Sequence, residues 1–142
     1  MTPEKIDLRT AVLDGLYLFG KSEGHRHYTI SEFLAYLVYP VIHNKIQFFY
    51  EDGNPVGLVT WCFLPEDKAE DFVDDRIVLG EEDYIATEGD QLWGIEFIAP
   101  FGHARQIMKS MQTLHNQVYG HGRKIYWRRF KNRNSIHEGA FK

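Results

Sequence analysis

The sequence is first informative for what it lacks. It has one cysteine, Cys62, among 142 residues, which excludes an intrachain disulfide and favours a reducing compartment. It contains no apolar run near the ~20 residues needed to cross a bilayer, and its first residues lack the profile of a secretory signal. A His-Glu-x-x-His pattern, a glycine-rich phosphate loop, a serine elbow and a dinucleotide fingerprint are all absent. These absences predict a cytoplasmic protein and give no support to a metal site or a tightly bound cofactor.

The composition is that of a globular protein, and the charge is unevenly distributed. Hydrophobic residues make up 44% of the chain and aromatic residues 15%, which predicts one domain spanning residues 1–142. Residues 66–90 have eleven acidic residues against two basic ones, a pattern typical of a solvated face. Residues 123–142 have seven basic residues against one acidic one. This basic end could bind a phosphate-bearing cofactor, an acidic protein or nucleic acid.

Hydrophobic periodicity predicts four helices. They span residues 8–19, 30–41, 66–73 and 103–119. The apolar face of the first helix includes Leu16, and that of the second includes Ile30. Thr29 and Glu32 form a capping box before the second helix, and Pro40 is expected to end or kink it.

Aromatic and β-branched runs predict four strands. They span residues 46–51, 56–64, 92–99 and 125–130. The first two form a hairpin whose tight turn places Gly53 and Asn54 at positive φ, and residues 80–91 are expected to form an exposed loop. The order of elements predicts an α/β fold of the α+β sandwich type, with a helical crossover that makes the last two strands neighbours.

Residues 22–28 contain the first candidate site. The loop carries His25 and His27 just before a capped helix, and a histidine with a pKa of about 6.5 can take and return a proton near neutral pH. Alternating histidines could also bind one metal ion, but zinc needs further ligands and the remaining histidines are scattered. From the loop alone, the simpler interpretation that both are polar loop residues is favoured.

Residues 92–102 contain the second candidate site. Strand alternation places Gly94, Glu96 and Ile98 on one face and Trp93, Ile95 and Phe97 on the other. An acid in so apolar a strand must be hydrogen-bonded, exposed at an edge or used chemically. Gly94 would let a ligand or another backbone come close, and the helix start after Gly102 could bind a phosphate. An edge-strand Glu96 that faces water is the alternative interpretation.

The two stretches together resemble the toxin-activating lysine acyltransferases, which attach a fatty acyl group to internal lysines of pore-forming repeat toxins. The matching pieces are Ser22-x-x-His25-Arg26 with Tyr28, Pro55-Val56 followed by Trp61, and Trp93-x-Ile95-Glu96-Phe97-Ile98-Ala99-Pro100-Phe101-Gly102. The last string is the most specific of the three. The similarity runs in register from about Leu16 to the helix after Gly102.

The resemblance implies a fold, a site and partners. The fold is an acetyltransferase-like (GNAT-like) mixed sheet flanked by helices, and the acyl donor is an acylated acyl carrier protein, with acyl-CoA as the other candidate. The family's catalytic histidine falls on His25, its catalytic aspartate on Glu96 and its nearby serine on Ser22. The residues expected to bind the substrate or acyl donor are Arg26, Trp93, Gly94, Ile98, Ala99, Gly102, Arg128 and Arg129. A cytoplasmic location, a homodimer and an acceptor protein with a target lysine also follow from the resemblance.

The function expected from the sequence is therefore lysine acyl transfer, with His25 as general base and Glu96 as its partner. An N-acetyltransferase that uses acetyl-CoA is the first alternative. A non-enzymatic module that binds nucleic acid or protein through the basic end is the second alternative, and it ranks last.

Overall fold

A computed structural model describes residues 1–120, 122–128 and 136–140. In chain order the elements are β1 (Thr2–Glu4), α1 (Leu8–Lys21), α2 (Ile30–Phe33), a π-helical turn (Leu34–Val38), α3 (Tyr39–Ile42), β2 (Ile46–Glu51), β3 (Asn54–Leu64), α4 (Glu66–Val73), α5 (Glu81–Ile85), β4 (Gln91–Ile98), α6 (Ala104–Tyr119), β5 (Lys124–Arg128) and β6 (Ile136–Ala140). Within those residues, the helices are too short or too polar to span a bilayer.

Six strands form one mixed sheet in the order β1-β2-β3-β4-β5-β6. Neighbouring strands are antiparallel except β4 and β5, which are parallel and are connected by α6. A parallel pair needs such a crossover, because the chain must return to the same end of the sheet. The sheet flanked by helices confirms the predicted α/β class with its acetyltransferase-like arrangement, and the predicted pairing across the crossover is also confirmed. Strands β1 and β6 were not predicted from the sequence.

Each face of the sheet has its own hydrophobic layer. One layer packs α1 and the following helices against strand residues such as Leu58 and Ile95. The other layer packs α6, through Ile107 and Met111, against the opposite side of the same strands. Because the C-terminal half of α1 and the middle of β4 share the first layer, the loop after α1 meets β4.

The first helix presents a different face to the core from the one predicted. Its buried residues are Ala11, Gly15, Leu18 and Phe19, whereas Leu16 is 55% exposed. Gly15 explains the difference, because a Cβ at this position would overlap the side chain of Leu37. Close packing against small residues fixes the rotation of α1 and turns Leu16 towards solvent.

The second predicted helix continues past Pro40 instead of ending there. The Thr29–Glu32 capping box forms as expected, with both backbone–side-chain hydrogen bonds present. The chain then widens into the π-helical turn before Pro40, which lies in α3. Proline lacks an N–H and crowds the preceding turn, and a wider turn accommodates both effects without breaking the helical path.

The predicted loop at residues 80–91 is wrong in part, because Glu81–Ile85 form α5. Tyr84 of this helix is fully buried, and the Asp83 carboxylate accepts the Gly80 N–H at 2.8 Å and pairs with Lys68 at 2.5 Å. The acidic composition of this segment led to the prediction of a loop, although Tyr84 belongs to the core. The hairpin turn is also shifted by one position, since Asp52 and Gly53 have positive φ and Asn54 begins β3.

Candidate active site

A β-bulge in β4 determines where Glu96 points. Val59 pairs with Phe97 and Trp61 with Gly94, so Thr60 of β3 stands opposite two residues of β4, Ile95 and Glu96. A bulge places consecutive side chains on one side of the strand. Glu96 therefore lies on the same face as Ile95, in the layer that contains α1. The alternation predicted from the sequence, which separated these two side chains, is wrong at this position.

Thr60 stabilises the backbone of the bulge. Its Oγ1 accepts the N–H of Glu96 at 3.0 Å, and the side chain is fully buried. A bulge removes a residue from the regular ladder, so this N–H would otherwise lack a partner in an apolar environment. Thr60 thus fixes the backbone position from which the Glu96 side chain extends. The sequence pattern does not single out Thr60, because a threonine in a β-branched run is an ordinary strand residue.

The loop after α1 holds His25 rigidly. The Ser22 carbonyl accepts the N–H groups of His25 at 3.1 Å and Arg26 at 3.0 Å, and the His25 carbonyl accepts the Tyr28 N–H at 3.1 Å. The imidazole ring packs between aromatic rings, with centroids 5.5 Å from Phe19 and 5.3 Å from Tyr28. The whole residue is only 5% exposed. The ring is therefore positioned by both the backbone turn and its packing.

The side chains of Ser22, His25 and Glu96 form a continuous hydrogen-bonded chain. His25 Nε2 lies 2.5 Å from Glu96 Oε2, and His25 Nδ1 lies 2.6 Å from Ser22 Oγ. An ionised carboxylate can only accept hydrogen bonds, so Nε2 carries the hydrogen towards Glu96. Nδ1 then keeps its lone pair and faces the Ser22 hydroxyl. A hydroxyl, an imidazole and a carboxylate in this order can take up a proton at Nδ1.

Tyr28 holds the second oxygen of the carboxylate. Its hydroxyl donates a hydrogen bond to Glu96 Oε1 at 2.6 Å. Burial and the neighbouring Glu96 carboxylate raise the pKa of Tyr28 well above its usual value, so the phenol stays protonated and remains a donor. In the sequence, Tyr28 was identified only as a position of the motif. Its place three residues after His25, with an apolar body and a polar tip, was the signal that could have identified it.

An open cleft gives access to His25. Leu16, Phe19 and Gly20 from α1 line one side, and Ile30 and Phe33 from α2 line the other. His25, Arg26, Tyr28 and Thr29 complete a lining that encloses about 170 Å³. Arg26 is exposed at this cleft, where its charge is available to a ligand. Arg26 is thus a predicted binding residue that lines the same cleft as His25.

Three of the predicted binding residues lie in β4 and are packed against other parts of the protein. Trp93 and Ile98 are each 1% exposed and belong to the hydrophobic layer below α1. Gly94 faces the opposite layer, where the indole of Trp127 covers it and would overlap any added Cβ. The Trp127 indole thus fills the space beside Gly94, and its packing explains why this position has no side chain.

The remaining predicted binding residues lie further from His25 along the chain. Ala99 is half-buried just after β4, and Gly102 occupies the exposed turn before α6 with a φ of 94°. Arg128 donates to the Phe72 carbonyl at 2.8 Å and pairs with Asp75 at 2.9 Å. Part of the basic end therefore neutralises the acidic segment of the same chain. Arg129 lies outside the described residues.

The surroundings of His27 and Cys62 differ from those of His25. Within residues 1–120, 122–128 and 136–140, no cluster of three or more His, Cys, Asp or Glu side chains could hold a metal ion. His27 is exposed, whereas His25 is buried against Glu96. Cys62 is fully buried, and burial raises the pKa of its thiol, which disfavours the reactive thiolate.

Comparison with known proteins gives an independent result. A family model described as HlyC, the RTX toxin acyltransferase family, matches residues 9–137. The chain is 27% identical over 100 residues to the uncharacterized protein sll0720 of Synechocystis, covering 69% of this chain and 67% of that protein. It is 26% identical over 110 residues to the RTX-II toxin-activating lysine-acyltransferase ApxIIC of Actinobacillus pleuropneumoniae, covering 78% and 68%. It is 29% identical over 96 residues to the protein-lysine myristoyltransferase HlyC of Escherichia coli, covering 68% of this chain but only 54% of that relative.

Proposed function

The chain belongs to the RTX toxin acyltransferase family, and from this premise we propose that it transfers an acyl group from a thioester to a lysine amine of an acceptor protein. The family resemblance and the acyltransferase class expected from the sequence are confirmed. The observation that carries the proposal is the buried hydrogen-bonded chain of Ser22, His25 and Glu96. This arrangement supplies the proton acceptor that amine attack on a thioester requires.

In the proposed reaction, the amine nitrogen forms a bond to the thioester carbonyl carbon and the carbon–sulfur bond then breaks. A lysine amine has a reference pKa of about 10.4, so near neutral pH it must lose a proton to become a nucleophile. The nitrogen loses this first proton to solvent and a second one as it attacks the carbonyl carbon, and His25 Nδ1 takes the second proton through the Ser22 hydroxyl, which lies 2.6 Å away. His25 gives this second proton to the leaving thiolate, so the donor departs as a thiol and the amide nitrogen keeps one hydrogen.

Glu96 stabilises the imidazolium that forms when Nδ1 is protonated. Its Oε2 faces the Nε2–H of His25, while Tyr28 and Thr60 hold the other carboxylate oxygen and the backbone. A charge that forms in a buried site gains more from a fixed opposite charge than it would in water. The longer side chain of Glu96 reaches His25 directly, so it can fill the role that the resemblance assigns to an aspartate.

We further propose a fatty acyl carrier protein as the donor and a lysine of a repeat toxin as the acceptor. Two relatives support the fatty acyl group and the toxin acceptor, since one is a toxin-activating lysine-acyltransferase and the other a protein-lysine myristoyltransferase. Arg26 at the cleft has the charge that an acidic carrier would meet. Acyl-CoA is the alternative donor, and a cytoplasmic location and a homodimer are part of the same proposal.

Replacement of His25 tests the proposed function, with His27 as the matched control. The chain is incubated with tetradecanoyl acyl carrier protein or acetyl-CoA and with toxin fragments that contain the lysines modified by relatives. Intact-mass measurement should show one acyl mass per modified lysine with the long-chain donor. His25→Ala should abolish the gain, and His27→Ala should retain it because His27 is exposed outside the pair.

Two results would contradict the proposal. A fully active His25→Ala variant would remove the histidine from the mechanism. Absence of transfer from either donor to every acceptor would remove the activity itself. A mass gain with acetyl-CoA alone would instead favour the N-acetyltransferase alternative.

A further inference from the structure

A second cavity lies at the edge of the sheet and shares no lining residue with the cleft beside His25. Strand β1 pairs with β2 only at residues 48–50, and the chain then leaves the sheet at Lys5. The first two residues of β2, Ile46 and Gln47, therefore pair with β3 alone within the described part of the chain. The segment after β1, together with α1, α3 and the last turns of α6, surrounds this open end and encloses about 410 Å³. A volume of this size is typical of small-molecule sites.

The walls of this edge cavity are mainly apolar and aromatic. Phe48 and Trp61 come from neighbouring strands, His115 and Tyr119 come from α6, and aliphatic side chains from α1, α3 and α6 complete the lining. The rings of Trp61 and His115 meet edge to face with centroids 4.8 Å apart, and those of His115 and Tyr119 do so at 5.4 Å. Aromatic walls of fixed orientation favour a flat ring, which gains ring–ring contacts beyond the burial of its hydrocarbon.

The interior of the edge cavity is uncharged at neutral pH. Among the described residues that line it, Glu4 and Lys5 are the charged ones, and both are exposed. Burial lowers the pKa of His115 to about 4, so the imidazole is neutral. A charged ligand would lose its hydration without gaining an opposite charge in the interior. The interior therefore favours a neutral molecule.

Tyr119 supplies the edge cavity with a hydrogen-bond donor. Its hydroxyl accepts the Nε1–H of Trp61 at 3.0 Å, and no acceptor for its own hydrogen is present among the described residues. Burial raises the pKa of Tyr119, so the phenol keeps this hydrogen. A hydroxyl that already accepts a hydrogen bond is polarised into a better donor. The group that complements it is an acceptor oxygen, such as that of a ketone.

We propose that the edge cavity binds a neutral aromatic molecule that carries an acceptor oxygen, with the Tyr119 hydroxyl donating to that oxygen. The site is separate from acyl transfer, because its lining contains none of the residues of the candidate active site. A straight alkyl chain would gain from burial but would use neither the aromatic walls nor the hydroxyl. A peptide would bring backbone N–H and C=O groups into a mainly apolar interior, where unpaired polar groups are costly.

A matched pair of probes tests the donor. The ketone 2-acetylnaphthalene and the hydrocarbon 2-ethylnaphthalene have the same flat ring and nearly the same shape, but only the ketone has an acceptor oxygen. Heteronuclear NMR titrations follow the indole N–H of Trp61, which donates to Tyr119. Both probes should shift this resonance, and the ketone should bind about three- to ten-fold more tightly because of its hydrogen bond. The anion 2-naphthoate has the same ring and should bind more weakly than the ketone, since the interior offers no opposite charge.

Removal of the hydroxyl should abolish the preference for the ketone. Tyr119→Phe keeps the ring in the wall, so the ketone and the hydrocarbon should bind with equal affinity. Tyr17→Phe is the matched control, because Tyr17 lies outside the edge cavity, and it should keep the wild-type preference.

A variant at the opening tests the location of the probes. Val118 is 59% exposed where it lines the edge cavity, and Val118→Trp should cover the opening and weaken both neutral probes by about ten-fold or more. Val78 is 58% exposed but lies outside the cavity, so Val78→Trp should bind both probes as the wild type does. Circular dichroism melts check that each variant is folded.

Several results would overturn the inference. They are equal affinity of the wild type for the ketone and the hydrocarbon, a ketone preference that survives in Tyr119→Phe, and a Trp61 resonance that the ketone does not shift. His25→Ala should bind the ketone as the wild type does, and loss of ketone binding in this variant would place the probe in the other cleft. A protein that binds the ketone as expected but transfers no acyl group would contradict only the proposed function.

Discussion

The Glu96 carboxylate lies 2.5 Å from the His25 imidazole, although 71 residues separate them in the sequence. One residue sits in a loop after a helix and the other in a strand bulge, and both are almost completely buried. Burial of an acid is costly unless it is hydrogen-bonded, and here both carboxylate oxygens have partners. The two side chains therefore form one unit, and replacing either of them should impair the function of the pair.

Glu96→Gln should reduce kcat/KM by about 10²–10⁴-fold, since an amide keeps the shape of the side chain but cannot neutralise an imidazolium. Glu51→Gln is the matched control. Glu51 makes a carboxylate–imidazole contact of the same 2.5 Å length with His103, but at the surface. It should leave the rate unchanged. Steady-state kinetics with a long-chain thioester donor compares the two, and equal rates for wild type and Glu96→Gln would rule out a role for the carboxylate.

Tyr28→Phe removes the hydrogen bond to Glu96 Oε1 and leaves that oxygen without its donor. We expect a loss of about 1–3 kcal/mol in the free energy of unfolding, together with a lower kcat. Tyr50→Phe removes a comparable hydroxyl–carboxylate hydrogen bond to Asp14, 2.5 Å long. That control should lose stability but keep kcat. Urea denaturation and steady-state kinetics measure both effects, and a Tyr28→Phe protein with wild-type kcat would show that Tyr28 is structural only.

Thr60→Val tests the bulge, because valine has the same shape but cannot accept the N–H of Glu96. The unpaired buried N–H should cost about 1–3 kcal/mol of stability, and the freed backbone should misplace the carboxylate. Thr60→Ser retains the hydroxyl and should recover most of the activity. If valine and serine have the same kcat, the hydrogen bond does not position Glu96.

Much of the fold followed from local patterns. The capping box at Thr29, the hairpin and the long helix α6 are encoded by neighbouring residues, so periodicity and capping rules predicted them. The residue pair of the site was predicted only through the resemblance. Taken alone, His25 could be a polar loop residue and Glu96 an edge-strand acid that faces water. The single domain over residues 1–142 stays a prediction.

The errors arise where tertiary packing overrides local pattern. The bulge opposite Thr60 breaks the alternation of β4, and no residue type in that stretch signals it. The rotation of α1 depends on the contact between Gly15 and Leu37, which lies outside the periodicity of the helix. Leu16 and Ile30 were assigned to the core as apolar residues at helical spacing. Their exposure depends on how α1 and α2 pack against the rest of the protein, which a pattern of hydrophobicity does not reveal.

Gly94→Ala should destabilise the protein, whereas Gly20→Ala should not. An added Cβ at Gly94 overlaps the Trp127 indole, and overpacking of this kind costs about 1–3 kcal/mol. Gly20 has open space in a helix, so alanine should stabilise by up to about 1 kcal/mol. Thermal denaturation distinguishes them. A stable Gly94→Ala protein would mean that the indole moves aside and that the space is available to a ligand.

His115 should make stability depend on pH, because burial lowers the pKa of His115 from 6.5 to about 4. The unfolded chain binds a proton between these values that the folded protein excludes, so the free energy of unfolding rises with pH across this window and falls as pH drops. The full change is on the order of 3 kcal/mol. His115→Phe keeps a ring beside Trp61 but cannot titrate, so urea denaturation from pH 4 to 7 should give a flatter profile. The exposed His27→Gln control should keep the wild-type slope, and a wild-type slope in His115→Phe would show that His115 is not the titrating group.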